Sequence, residues 1–280
     1  MPSMLVVEGG AMRSVFSAGL LDGFLQRGFD PFDGYIGVSA GAGNLAGFLA
    51  GAEGKSLELF LGMSGRSGFI SPLRFLGGGH LLDLQRLFDA VAGSGLDIPG
   101  IYRHGRPLLV GATDVATGRP VYLDTTADNL MDALMASMAL PLMVRELPVI
   151  GGRLMADGGM ADAIPVREAM RRGAESIMVV RSRPAGYVKR DTPGHRYIRW
   201  RLRRHPQLRR AMAGRVQRHA DTLALLHRPP AGVRIVDVSP PAVFRMGRFA
   251  TRREQLLEGY RAGLAMAPDA IAAWRQAISE

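Results

Sequence analysis

Short apolar runs alternate with longer segments of helical spacing through the first 180 positions. Residues 4–7 are continuously apolar and lead straight into Glu8-Gly9-Gly10, the pattern of a buried strand entering a tight turn. Over residues 15–26, Val15, Ala18, Leu21 and Leu25 recur at helical spacing, and Gly28 closes the segment. Residues 35–38 read as a second strand and residues 40–50 as a helix of small residues. Helices follow at 57–63 and 81–91, separated by a Gly/Ser-rich loop through Gly77-Gly78-Gly79. Residues 107–114 and 120–124 read as strands joined by a turn at Thr117-Gly118, and residues 130–140 as a helix stopped by Pro141. A short strand at 153–156, a helix at 166–172 and a buried strand at 176–181 complete the alternation. Strands separated by helices predict an α/β fold with a mainly parallel sheet.

Beyond Arg181 the pattern changes. Residues 197–218 and 252–274 read as long helices, with Pro229-Pro230, a strand-like stretch at 233–238 and Pro240-Pro241 between them. The division expected is an α/β domain over residues 1–180 and a mostly helical C-terminal region over residues 181–280, packed on that core.

Composition sharpens this division. The 280 residues carry a net charge of +10, but residues 1–180 hold 14 Lys+Arg against 18 Asp+Glu, a net −4. The remaining 100 residues hold 21 against 7, a net +14, and nearly all of the positive charge is arginine. A general affinity for anions therefore becomes a local property of the C-terminal region. At 47% hydrophobic and 21% charged residues, the chain is too apolar for intrinsic disorder. The absence of cysteine excludes a thiol nucleophile, a disulfide scaffold and a Cys-ligated zinc site. Met1-Pro2-Ser3 leads into the first strand with no basic segment or long apolar segment, so a cytoplasmic location is expected.

Three short motifs carry candidate chemistry. Gly37-Val38-Ser39-Ala40-Gly41 fits G-x-S-x-G between a strand and a small-residue helix, the context of a nucleophile elbow. Gly37 and Gly41 leave room for the tight turn, and Ser39 stands at a helix N-terminus, where negative charge is stabilised. Glu8-Gly9-Gly10-Ala11-Met12-Arg13 places bare backbone amides at the start of a helix, a cradle for an oxyanion or a phosphate. It lacks the glycines of a dinucleotide fingerprint, and no Walker A motif is present, so a nucleotide role is the weaker reading. Asp157-Gly158-Gly159 sets a carboxylate in a turn at a strand end. Each motif alone also fits an ordinary turn.

Taken in order, with Ala136-Ser137-Met138-Ala139-Leu140-Pro141 preceding the Asp-Gly motif, these segments resemble the patatin-like phospholipase family. The resemblance spans residues 5–165. It implies a three-layer α/β/α core, a basic helical C-terminal region and a serine lipid acyl hydrolase acting on phospholipids or lysophospholipids, with no metal or organic cofactor. It further implies a Ser39–Asp157 dyad and an oxyanion hole from Gly9, Gly10, Ala11, Met12 and Arg13, with Gly158 and Gly159 shaping the aspartate turn. Two departures stand out: Ala11 occupies a position where many members have glycine, and Ser14 follows the basic residue. Alanine supplies the same amide provided that its φ need not be positive, and Ser14 is suited to capping the next helix.

Other readings stay open at this point. The same serine would serve a carboxylesterase, a thioesterase or an acyltransferase, and a degenerate scaffold would serve a non-catalytic lipid- or nucleic-acid-binding protein. His195, His205, His219 and His227 follow Asp157 and permit a Ser/Asp/His triad, although none sits just after a strand; His80 and His104 precede it. Residues 196–218 interleave arginine with Tyr197, Ile198, Trp200 and Leu202. This pattern fits helix packing with solvated charge, peripheral contact with an anionic membrane at its inner face, or nucleic-acid binding, of which nucleic acid is the weakest. Oligomeric state is not legible. Met12, Met138, Met143, Met155 and Met160 read as core filler or as an acyl-chain lining. Asp124, Asp128 and Asp132 read as one helix face.

Overall fold

A computed structural model describes residues 2–64, 77, 80, 83–141 and 143–279. The expected α/β architecture is present: one eight-stranded, mainly parallel sheet with helices on both faces. The parallel strands are β1 (Ser3–Val7), β2 (Gly34–Val38), β3 (Leu108–Asp114), β7 (Ser176–Val180) and β8 (Arg234–Val238), in the spatial order β3-β2-β1-β7-β8. Beside β3, the strands β4 (Pro120–Asp124) and β6 (Arg153–Asp157) run antiparallel to it, and a two-residue β5 (Val149–Ile150) closes that edge.

Why the strands are apolar without interruption follows from this layering. Leu5, Val7, Tyr35, Leu108, Val110, Met178 and Val180 face one core, while Met4, Val6, Ile36, Leu109, Ile177 and Val179 face the other. Alternate residues thus enter opposite layers, and both sides of the sheet must be apolar. Helices α1 (Val15–Leu25), α2 (Ala40–Leu49), α3 (Lys55–Ser64), α4 (Leu84–Ala92), the single turn α5 (Ile98–Ile101) and α6 (Leu130–Met138) contribute to the first side. α7 (Val166–Arg171) packs on the other. The helix expected at 81–91 is described only from Leu84, and most of the loop before it lies outside the described residues.

The C-terminal region departs from the two long helices expected of it. The segment read as one helix over 197–218 is α8 (Pro193–Arg201), α9 (Pro206–Ala213) and α10 (Arg215–His227). Pro206 lacks the amide that would continue a helix, and Gly214 has low helix propensity, so the periodicity there belongs to separate pieces. β8 then joins the sheet, tied to β7 by buried Arg181, whose Nε lies 2.8 Å from Asp237. The last helix, α11 (Arg253–Ser279), lies directly against α1. A Cβ on Gly263 would overlap the Phe16 carbonyl oxygen, and one on Gly19 the Tyr260 carbonyl oxygen, so these backbones touch. Trp274 of α11 is 2% exposed and meets Phe32 edge-on at 4.9 Å. Among the described residues no helix is long and apolar enough to cross a membrane.

Asp124 ends β4 and pairs with Arg172 at 2.9 Å, so it does not share a helix face with Asp132, which lies in the first turn of α6.

Candidate active site

The geometry of the sheet brings the separate motifs together. The first and second loops leave the carboxyl ends of adjacent parallel strands β1 and β2, where backbone amides and side chains open into a crevice. Asp157 arrives from the other direction. Because β6 runs against β3, Asp157 stands opposite Ala112, next to Gly111, which in turn pairs with Val38.

Ser39 caps α2 with φ +53° and ψ −130°. Ser39 and Ala11 are the only non-glycine residues with positive φ among the described residues, and both are in this crevice. Such a backbone is costly for an L-residue and persists only where its surroundings hold it. The surroundings here are specific. Ser39 N–H donates to the Ser137 hydroxyl at 2.6 Å, and that hydroxyl donates to the Gly111 carbonyl at 2.6 Å. Two residues further on, the Ala139 carbonyl accepts the Asp157 N–H at 2.8 Å. The Ala-Ser-Met-Ala-Leu-Pro segment therefore fastens both motif residues. Gly37 and Gly41 flank the turn, and a Cβ on Gly41 would sit 2.6 Å from the Val7 carbonyl. At Gly158 a Cβ would overlap the Gly111 carbonyl.

The Asp157 carboxylate is buried and accepts the Gly159 N–H at 2.8 Å, with the Ser39 side chain as its neighbour. Burial pushes its pKa upward, against the opposing pull of Arg248, the Ser39 side chain and the Gly159 amide. No histidine bonds to either residue among the described residues. His195 and His219 do line the neighbouring cavity. His219 lies on the buried side of α10 rather than on its surface, edge-on to Tyr187 at 6.1 Å. Burial, with Lys189 nearby, lowers its pKa to about 4, so it is neutral at pH 7.

In the glycine loop, Gly9 and Gly10 precede a 3-10 turn over Ala11–Ser14. The Gly10 and Ala11 amides find no acceptor among the described residues. The Met12 amide donates to the Arg248 carbonyl at 3.2 Å and the Arg13 amide to Gly10 at 3.3 Å, so neither is free to bind a ligand oxygen. Ala11 sits at φ +50°, so the substitution for glycine carries backbone strain that the sequence did not reveal. Ser14 makes no side-chain capping bond; its carbonyl accepts the Asn44 amide at 2.7 Å and the Ser17 hydroxyl at 2.8 Å.

Two cavities meet at Ser39, sharing Ala11, Leu140, Arg248 and Phe249. One, about 150 Å³, is walled by Leu59, Phe60, Leu87, Leu134 and Met138. The other, about 500 Å³, is polar and carries Glu8, Arg13, Asp157, Lys189, Arg215 and Arg248. Met12 also lines the apolar cavity, Met155 is core filler, and Met143 and Met160 line a further hollow that adjoins the polar cavity at Asp157 and Arg248. Lys189, Arg215 and Arg248 did not stand out in the sequence, where they are three basic residues among many. Among the described residues no group of three or more His, Asp or Glu converges as a metal-binding set would.

Replacing Ser137 by alanine strips a buried N–H and a buried carbonyl of their common partner. The expected result is a loss of about 1–3 kcal/mol in urea unfolding. An unchanged midpoint would contradict the bridging role.

Comparison with known proteins places residues 5–170 on the family model described as patatin-like phospholipase, and residues 205–279 on a domain of unknown function, DUF6363. The chain is 33% identical over 267 residues to the uncharacterized protein YjjU of Escherichia coli (strain K12), covering 92% of this chain and 74% of that protein. Among solved structures, VipD from Legionella pneumophila aligns over 99% of this chain and 67% of its own, at 12% identity and a TM-score of 0.49.

Proposed function

This chain belongs to the patatin-like phospholipase family, and from that membership we propose that it is a serine lipid acyl hydrolase whose nucleophile is Ser39 and whose base is Asp157. The observation that carries the reading is a strained serine at a helix N-terminus, beside a buried aspartate, where an apolar cavity meets a basic one.

The chemistry follows from these positions. Ser39 Oγ attacks the ester carbonyl carbon while its proton passes to Asp157. Gly10 and Ala11 amides, with the α2 N-terminus, face the oxyanion that develops. As the intermediate collapses, the ester C–O bond breaks and the departing alcohol takes the proton from Asp157, leaving an acyl-enzyme. Water then donates a proton to Asp157 and attacks the acyl carbon. Ser39 departs with that proton, and the free fatty acid is released. An ordinary aspartate, with a pKa of about 3.9, is a weak base. The upward shift from burial narrows the gap to the serine hydroxyl. The apolar cavity is suited to the acyl chain, and the substrate class that fits is a phospholipid or lysophospholipid.

Peripheral contact with an anionic membrane belongs to the same reading, narrowed to residues 196–204. There Tyr197 and Trp200 are 58% and 56% exposed, and Arg196, Arg201, Arg203 and Arg204 surround them on the surface. Further along, Leu208 and Met212 turn inward, and Arg215 lines the polar cavity. Sedimentation with phosphatidylglycerol vesicles is expected to fall steeply as salt rises, and to fall further in Trp200→Ala. Attachment insensitive to salt would sink this contact.

A fluorophosphonate probe is expected to label Ser39, and both Ser39→Ala and Asp157→Asn to lower ester hydrolysis by about 1000-fold or more. A histidine variant as damaging as Ser39→Ala would instead restore the triad. Since Asp157 must be ionised to accept the proton, kcat/KM falls as pH drops through its raised pKa. The acid limb of the pH–rate profile is therefore expected above about pH 3.9, and an inflection at or below that value would contradict the assignment.

A further inference from the structure

The polar cavity holds more positive charge than the hydrolytic chemistry needs. Arg13 is 3% exposed, and its Nε and Nη1 have no partner. Arg215 also carries an unpartnered buried Nε. Neither of them, nor Lys189 or Arg248, forms an ion pair among the described residues, and all four line this one cavity. Two carboxylates face them: Glu8, whose Oε2 accepts the Ser182 N–H at 2.7 Å, and Asp157. Arg183 and the more exposed Arg190 line the same cavity, so six basic side chains face two carboxylates and the balance is strongly positive. Like charges gathered away from bulk water oppose folding unless something compensates them. Their mutual effect is visible in Arg13, lowered to about 9 by burial and by Arg183 and Arg248, and in Lys189, lowered to about 7 by burial and by Arg215. Among the described residues, none of the side chains of Arg13, Lys189, Arg215 and Arg248 donates a hydrogen bond to the fold. They point at a ligand.

We propose that this basic cavity is the head-group subsite for an acyl lipid bearing a phosphomonoester, with Lys189, Arg215 and Arg248 of the C-terminal region determining that specificity. The proposal rests on the acyl hydrolase reading and adds the class of lipid. A phosphomonoester carries −1.5 to −2 at neutral pH, the most negative charge a single head-group phosphate can bring to this positive cavity, and its oxygens match guanidinium donors. A zwitterionic choline or ethanolamine head group would leave that positive charge uncompensated. The cavity opens beside Ser39 and continues into the apolar one, so a phosphate here and an acyl chain there would place an ester linkage over the serine. Arg215 and Arg248 both fall within residues 205–279, so this subsite gives that domain a role in selecting the substrate of the neighbouring domain.

The test is calorimetric binding to full-length Ser39→Ala protein, which keeps the cavity without turnover. The ligands are inorganic phosphate, a 1-acylglycerol 3-phosphate below its micelle concentration, and the matching monoacylglycerol. The lipid phosphate is expected to bind about tenfold or more tighter than either of the others. Adding Lys189→Met or Arg215→Gln should weaken both phosphate ligands about tenfold. Because these substitutions remove unpaired like charges, the unfolding midpoint should hold or rise, and phosphate should raise it less than in the parent. The proposal is overturned if monoacylglycerol binds as tightly as the lipid phosphate, if inorganic phosphate binds as tightly as the lipid, or if neither substitution weakens phosphate. These outcomes are independent of Ser39 labelling. An unlabelled serine would overturn the hydrolase reading while leaving anion binding measurable.

Discussion

The Ser137 hydroxyl is the point on which the site depends. It accepts the Ser39 amide and donates to the Gly111 carbonyl, so one small side chain locks the elbow to the adjacent strand β3. Without such a bond, a serine at φ +53° would relax toward an ordinary turn and swing its hydroxyl out of line. The same segment receives the Asp157 amide on the Ala139 carbonyl, so Ser39 and Asp157 take their positions from one helix end. Close backbone packing at Gly41 and Gly158 completes the arrangement, because a side chain at either would push these elements apart.

A second constraint is electrostatic. The C-terminal region carries a net +14, and the fold divides it between two environments. Part lies on the surface around Tyr197 and Trp200, where water solvates it. Another part turns toward Ser39, where Glu8 and Asp157 offset only some of it. Arg181 shows the contrasting case: it is fully buried, paired with Asp237, and serves the sheet edge. Burial with a partner builds structure, whereas burial without one leaves charge available to a ligand.

How much of this was legible in the sequence differs by element. The strands at residues 4–7, 35–38 and 176–181 announced themselves because a parallel sheet covered on both faces needs unbroken apolar runs. Ser39 and Asp157 were legible because tight turns with close backbone approach require glycine neighbours. The broken helix over 197–218 was misread because separate short helices repeat the same spacing as one long one. That His219 is buried was not legible, because only the packing of α10 shows which of its faces is covered.

Local chemistry in the chain thus determined the kind of fold and the family, and singled out Ser39 and Asp157 as candidates, since these depend on patterns a few residues long. The tertiary structure alone decided which amides stay free, why Ala11 is strained, and which basic residues among many turn inward. Arg13, Lys189, Arg215 and Arg248 are far apart in sequence and meet because the loop after β1, the segment after β7, the start of α10 and the segment between β8 and α11 surround one crevice. Such convergence is set by long-range packing, which no local pattern records.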